Sequence, residues 1–269
     1  MPYSTNPARP LAAAGHPHSA ALPGLTIPSR FRGPAHRGNG GYVCGLIAGY
    51  FSGPVTVMLR QPPPLATPMT VGPGTDGSLR IHHGRTLIAE AASAPSPPAL
   101  QTPGPVSAAQ ARAVAGRARY FSDPLFPGCF VCGMSRRPGD GLRIFPGPVP
   151  GQQLWAAPWT PDPSVAGTDG KVRPEVAWAA LDCPSGIAAA EDAGLGQGTA
   201  ILLGRMTASL AVLPAPGDEC RVTAWPAGRD GRKLAAGSAL LGPGGEVLAA
   251  ARALWVTVPR PALAAEATS

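Results

Sequence analysis

A carboxylate placed among small apolar neighbours draws attention first, because its burial costs free energy that function often explains. Asp182 is flanked by Ala179, Ala180, Leu181 and Cys183, and such a group can act as a general base or as a nucleophile. The structural alternatives are an Asp just before a helix kink, since Pro184 follows, or an Asp facing solvent. A second candidate is Asn39-Gly40-Gly41-Tyr42, where Asn is a favoured helix N-cap and the following residues to Tyr50 are apolar. Its structural alternative is a plain helix-entry turn. Cys129 and Cys132 have CxxC spacing, but a structural zinc site asks for four ligands. No second CxxC or HxxxH is present, Cys44, Cys183 and Cys220 are isolated, and His82 and His83 on a strand point to opposite faces. A redox CxxC would open a helix beside a parallel sheet, which is not the context here. No metal is therefore expected. Arg229, Arg232 and Lys233 share one turn, and Arg136 and Arg137 another; either set can meet phosphates or be ordinary solvated charge. The glycine-rich stretches 128–141 and 194–198 carry neither a Walker nor a dinucleotide fingerprint, so no cofactor is expected.

Composition narrows the partners. The 269 residues are 44% hydrophobic and only 14% charged, which excludes global disorder. With 35 Gly and 35 Pro, the chain is cut into short elements. A formal charge of +7 favours anionic partners. It is spread without a basic block, and aromatic residues make up 6% of the chain, so a nucleic-acid track is not expected and a phosphorylated small molecule fits better. Leu11–Ala14 is too short for a secretory signal, no run of about 18 apolar residues marks a membrane span, and five scattered cysteines suit a reducing compartment. The expectation is a soluble cytoplasmic protein.

Two ordered blocks are expected, 28–93 and 120–258, with a disordered arm over 1–27, a linker over 94–119 containing a short basic helix at 108–119, and a tail over 259–269. In each block an apolar helix precedes strand-like runs. The first helix starts at Asn39 and is followed by runs at 54–60, 69–72, 78–83 and 85–92. The second starts at Arg173-Pro174 and runs toward Ala190, with strands at 200–213, 219–227, 232–241 and 246–258. Residues 59–71 and 210–222 share Leu, Pro and Val in register, and Asp76-Gly77 is echoed by Asp230-Gly231. These echoes suggest an internal duplication; an ordinary two-domain α+β protein is the alternative.

Three stretches carry a family likeness. Arg30-Phe31-Arg32-Gly33-Pro34 with Gly38-Asn39-Gly40-Gly41-Tyr42 resembles the helix entrance of the thioesterase-like hot-dog superfamily. Cys129-Phe130-Val131-Cys132-Gly133 followed by Gly141-Leu142-Arg143-Ile144 resembles the leading segment of many such thioesterases. Residues 228–233 with 245–249 are similar to their closing strand–turn–strand. The resemblance implies an α+β double hot-dog, in which two central helices are each wrapped by a curved antiparallel sheet and the halves join as a pseudo-dimer. The CxxC loop would then border the substrate tunnel.

The resemblance also implies a site. In such enzymes a Gly pair at a helix N-terminus offers backbone N–H groups and the helix dipole to the thioester oxygen, while an acid about nine positions into the other copy's helix activates water. Nine residues after Asn39 lies Ala48, and nine after Arg173 lies Asp182, so one helix has the Gly pair and the other has the acid. The implied reaction is hydrolysis of an acyl-CoA or related thioester at one split site. Gly41 and Tyr42 amides would hold the oxyanion, Asp182 would activate water, and Thr207 would help orient it, with Ser185 and Thr199 as further hydroxyl candidates. Asn39, Gly40, Arg229, Arg232 and Lys233 would bind substrate. A non-catalytic acyl-thioester binding protein is the first alternative. A hydratase or dehydratase is the second, for which His36 is the available histidine. The fused pair can also assemble into a homo-oligomer.

Overall fold

Strands arise here where β-branched and small apolar residues alternate with open positions, and helices where small residues let backbones approach. The computed structural model describes residues 22–99, 102–196 and 198–260. The first block supplies α1 (Gly40–Ala48), β1 (Val55–Leu59), β2 (Thr70–Pro73), β3 (Leu79–His83) and β4 (Thr86–Ser93). After α2 (Ala108–Val114) come two strands outside the expected set, β5 (Gly147–Pro148) and β6 (Trp155–Trp159). The chain continues with α3 (Pro174–Asp192), β7 (Thr199–Leu210), β8 (Cys220–Asp230), β9 (Lys233–Leu241) and β10 (Val247–Pro259). The class is α+β. No helix among the described residues is long and apolar enough to cross a membrane.

All ten strands form one antiparallel sheet in the order β2-β3-β4-β1-β7-β10-β9-β8-β6-β5. The strands of the first block join those of the second through β1 and β7, where Val55–Met58 pair with Ala208–Arg205. Both α1 and α3 lie against one face of this sheet, α1 over β1 and β7 and α3 over β7 to β10. The opposite face is covered locally by α2, capped at its start by Ser107 and its reciprocal bond with Gln110. Residues in β6, β8 and β9 therefore feed two cores in alternation. Ala157, Val222, Ala224 and Leu240 face the long helices, whereas Ala156, Trp225 and Ala239 pack with Ala111 and Val114 of α2. This accounts for the unbroken burial of 220–225.

Two ends differ from expectation. Leu25 bridges Met69 and Ile27 is fully buried, so the ordered chain begins before residue 28; residues 1–21 lie outside the described residues. The expected linker holds α2 and Val106, both core elements. At the other end Pro259 still pairs with Thr199, and 261–269 lie outside the described residues.

The helix pair sets the geometry of the interior. α1 and α3 run antiparallel: a side-chain carbon on Gly41 would lie 2.4 Å from Asp182 Cβ, and one on Gly45, a turn later, 2.5 Å from Glu175 Cα. Glycines one turn apart thus form the seat on which α3 rests. Gly45→Ala should cost about 1–3 kcal/mol of stability by overpacking this seam. Gly72→Ala, where an added carbon meets nothing within 4 Å, should stay within about 0.5 kcal/mol. Urea unfolding of both variants against the parent checks the contrast.

Candidate functional site

Asn39 is the hinge of the site. It caps α1 by accepting the Tyr42 N–H at its Oδ1 (2.9 Å), which leaves its Nδ2 to donate to Asp182 Oδ2 (2.7 Å) on the facing helix. Both residues are 2% exposed. The amide accepts the backbone N–H at one atom and donates to the carboxylate from another, which an ionised Asp at this position could not do. The entry turn is pinned by aromatic packing: Phe31 stacks on Tyr42 with centroids 3.9 Å apart, and Phe130 of the CxxC loop meets Phe31 edge-on at 4.9 Å. Backbone bonds from Phe130 N–H to Arg32 and from Leu142 N–H to Phe130 hold that loop in place.

Asp182 lies on the turn before Pro184, yet α3 continues through the proline. The carbonyls of this turn take hydroxyl bonds: Ser238 donates to Leu181 O and Ser185 to Asp182 O, both at 2.8 Å, and Trp255 Nε1 donates to Ser185 Oγ. Ser185 is thus a backbone brace. Burial pushes the Asp182 carboxyl up to about 7; the nearby Gly41 N–H draws it down, the Cys129 charge raises it, and the Asn39 bond lowers it. The Gly41 amide approaches without closing a full hydrogen bond, for Asp182 Oδ1 has no partner. A buried carboxylate oxygen with unused acceptor capacity can take a proton from a molecule placed beside it.

Two adjoining cavities meet at this point. The smaller, about 250 Å³, is lined by Asn39, Gly40, Asp182 and Leu203, together with Arg37 and the exposed Arg60, which ion-pairs with Glu90 at 2.6 Å. The larger, about 390 Å³, is lined by Tyr120, Cys132, Ile187 and Thr199, with Arg119 and the Asp123–Arg260 ion pair at its rim. Phe126, Cys183, Ile201 and Trp255 line both. Gly40 N–H, the first amide of α1, makes no hydrogen bond among the described residues, and Gly40 is one of the residues that line the smaller cavity. Such an orphan amide at a helix start favours an anionic oxygen.

Other candidates fall elsewhere. The Tyr42 amide is not available as an oxyanion donor, because Asn39 Oδ1 already accepts it. Gly41 is wedged between α1 and α3, so its backbone faces Asp182 and Trp178 instead of an incoming carbonyl. Thr207 neighbours the buried Met206 and Ala208 in β7, lines neither cavity, and bonds Thr56 Oγ1 at 2.8 Å across the β1–β7 seam; strand alternation turns it to the outer face. Arg229, Arg232 and Lys233 are exposed on the β8–β9 turn and line neither cavity, and Arg229 donates to Gly231 O and Ala193 O. Arg136 is buried and spent on Gly128 O, Arg30 O and Asp140, while Arg137 is exposed. His36 is exposed and outside both cavities, which leaves the hydratase reading without a histidine from 22–99 beside Asp182.

Cys183, isolated in the sequence, joins the CxxC pair: the sulfurs of Cys129, Cys132 and Cys183 lie within 4.8 Å of one another, and Cys129 Sγ is 3.6 Å from Cys183 Sγ. Hydrogen bonds from Cys132 and Cys183 hold the Cys129 thiol well below the ordinary range, and donating to it pushes the other two up. The only signal in the sequence was a cysteine beside the one carboxylate already singled out.

No protein-family model matches the sequence, and no curated protein does. Solved structures similar to parts of the chain are thioesterase superfamily proteins. A thioesterase superfamily protein is 18% identical over 43% of this chain, with a TM-score of 0.38, and the match spans about half (54%) of that protein's length. A thioesterase from Haemophilus influenzae is 14% identical over 48% of this chain and 86% of its own, with a TM-score of 0.41. A hypothetical thioesterase from Streptococcus pneumoniae TIGR4, solved with coenzyme A, is 8% identical over 39% of this chain and 82% of its own, with a TM-score of 0.36.

The double role of Asn39 predicts an unequal pair of cap deletions. Ser107→Ala removes an exposed cap and should cost about 0.5–2 kcal/mol. Asn39→Ala removes a cap and also strips a buried carboxylate of its donor, adding about 1–3 kcal/mol. Denaturant midpoints of the two variants, measured in one buffer, give the difference directly.

Proposed function

We propose that this protein hydrolyses an acyl-CoA or a related acyl thioester at a single site between α1 and α3. The observation that supports the reading is the unpartnered Asp182 Oδ1 of a residue lining a cavity that Gly40, with its unbonded N–H, also lines. The resemblance of residues 38–42 and 129–144 to thioesterase-like hot-dog proteins supports the substrate class. On this reading 28–93 and 120–258 are two halves of a duplicated double hot-dog, one keeping the helix-start amide and the other the acid.

The groups at hand define the chemistry. The thioester carbonyl oxygen accepts the Gly40 N–H at the positive end of α1, which stabilises the oxyanion as it forms. Asp182 takes a proton from a water molecule as that water attacks the carbonyl carbon. The tetrahedral intermediate collapses with cleavage of the carbon–sulfur bond, and the leaving thiolate receives the proton, giving a carboxylic acid and a free thiol. Asn39 positions the carboxylate through Oδ2 and leaves Oδ1 for the water. The acyl chain occupies the larger cavity beyond Phe126 and Ile201, and Arg37 and Arg60, which line the smaller one, meet the phosphates of the carrier.

A second reading has its own observation. With the Tyr42 amide consumed and Gly41 enclosed, one free amide remains where an oxyanion hole commonly has two donors, which favours a protein that binds acyl thioesters without cleaving them. Thiol release from a panel of acyl-CoAs separates the two. Hydrolysis by the parent, reduced about two to four orders of magnitude in Asp182→Asn, is expected. Thr207→Ala, on the outer face, should retain parental turnover. Saturable acyl-CoA binding with no thiol release would give the second reading the field.

A further inference from the structure

Three thiols brought together from two distant segments are unusual in a chain whose other cysteines, Cys44 and Cys220, stand apart from the cluster. Cys129 and Cys132 come from one turn of the loop, and Cys183 from the middle of α3. We infer that Cys129, Cys132 and Cys183 bind one zinc ion as a three-thiolate site, open at its fourth position toward the cavities. This stands apart from the thioester reading, since it uses neither Asp182 chemistry nor a substrate.

Spacing is the first argument. With Zn–S bonds of about 2.3 Å, the sulfurs of a tetrahedral site lie about 3.8 Å apart. Cys129 and Cys183 stand at 3.6 Å, and all three sulfurs lie within 4.8 Å, so small rotations of the side chains close the set around one ion. An iron–sulfur cluster asks for four cysteines, and the described cluster has three.

The surroundings are the second argument, for they place an amide donor beside two of the sulfurs. The Asn39 amide nitrogen lies 3.9 Å from Cys129 Sγ and 3.7 Å from Cys183 Sγ. Cys132 Sγ lies 3.9 Å from the Tyr120 hydroxyl, which accepts its thiol proton in this structure and also accepts the Phe126 N–H. An amide donor beside two of the sulfurs suits negative thiolates, and hydrogen bonds to metal-bound ligands orient and tune them in the same way.

Access is the third. Cys132 and Cys183 line the larger cavity, and Cys129 and Cys183 the smaller. An ion held by all three therefore sits in the wall where the cavities meet, with water or a small soft ligand able to reach its remaining position. Binding releases the thiol protons, so it strengthens with rising pH until the thiols are ionised.

The test uses the full chain, purified under reducing conditions from cells grown with zinc. Elemental analysis should find zinc at one ion per chain. Cobalt(II) loaded into the apoprotein should give the sulfur-to-metal charge-transfer absorption and the intense visible bands of tetrahedral thiolate coordination. Cys183→Ser should lose most of both signals, whereas Cys220→Ser should keep them. If Cys183→Ser fails to fold, alkylation of the parent mapped by mass spectrometry still decides: zinc should slow labelling of Cys129, Cys132 and Cys183 together and leave the labelling rate of Cys220 unchanged. Parent protein that binds neither zinc nor cobalt overturns the assignment. So does copper(I) retained in place of zinc, or a Cys129–Cys132 disulfide that forms equally fast with zinc present.

Discussion

The contact between α1 and α3 governs the rest of the molecule. Gly41 and Gly45 bring the α1 backbone within a carbon's width of α3, and at that distance the cap residue of one helix reaches the carboxylate of the other. Larger residues at those two positions would push the helices apart and break the 2.7 Å bond between Asn39 and Asp182. The close approach also expels water, which is why the carboxyl is pushed up to about 7. Packing and chemistry thus share one cause.

Holding two helices this tightly requires a platform that does not yield. The ten-stranded sheet provides it, continuous through the β1–β7 pairing. Where β7 faces β10, the register shifts at Leu254–Trp255, and the irregularity lies next to Trp255, which braces Ser185 and forms part of both cavity walls. Bulges commonly re-aim side chains beside functional sites. Here the shift falls at a residue that both cavities use. On the far face, α2 seals β6, β8 and β9, so β8 and β9 beneath α3 are packed from both sides.

The polar groups of the interior form a connected set. Asn39 bonds the carboxylate and approaches two of the three sulfurs; Cys129 raises the carboxyl through its charge, and Cys183 Sγ lies 4.0 Å from Asp182 Oδ2. Low dielectric makes each of these contacts count for more than it would in water, and leaves unpaired members costly. The free Oδ1 is therefore the least expected atom in the site, and the one on which the functional reading turns.

Much of this was legible along the chain. The apolar run after Asn39, the proline-opened helix at Arg173 and the alternating strands announced themselves because local periodicity encodes which face is buried. The odd placement of Asp182 among alanines was equally plain. Which amides remain free was not, because occupancy depends on side chains folding back: Asn39 Oδ1 takes the Tyr42 N–H, and Gly41 serves the helix seam. Thr207 shows the same limit, since a strand residue's face depends on sheet register, and β7 turns it outward onto Thr56. The charged turn at Arg229–Lys233 stayed outside both cavities because composition says nothing about where a hairpin tip ends up. Cys183 looked isolated because it lies 51 residues from Cys132 in the chain. Only the packing of α3 against the 126–144 loop carries its sulfur to the other two, and long-range proximity of that kind is a property of the tertiary structure alone.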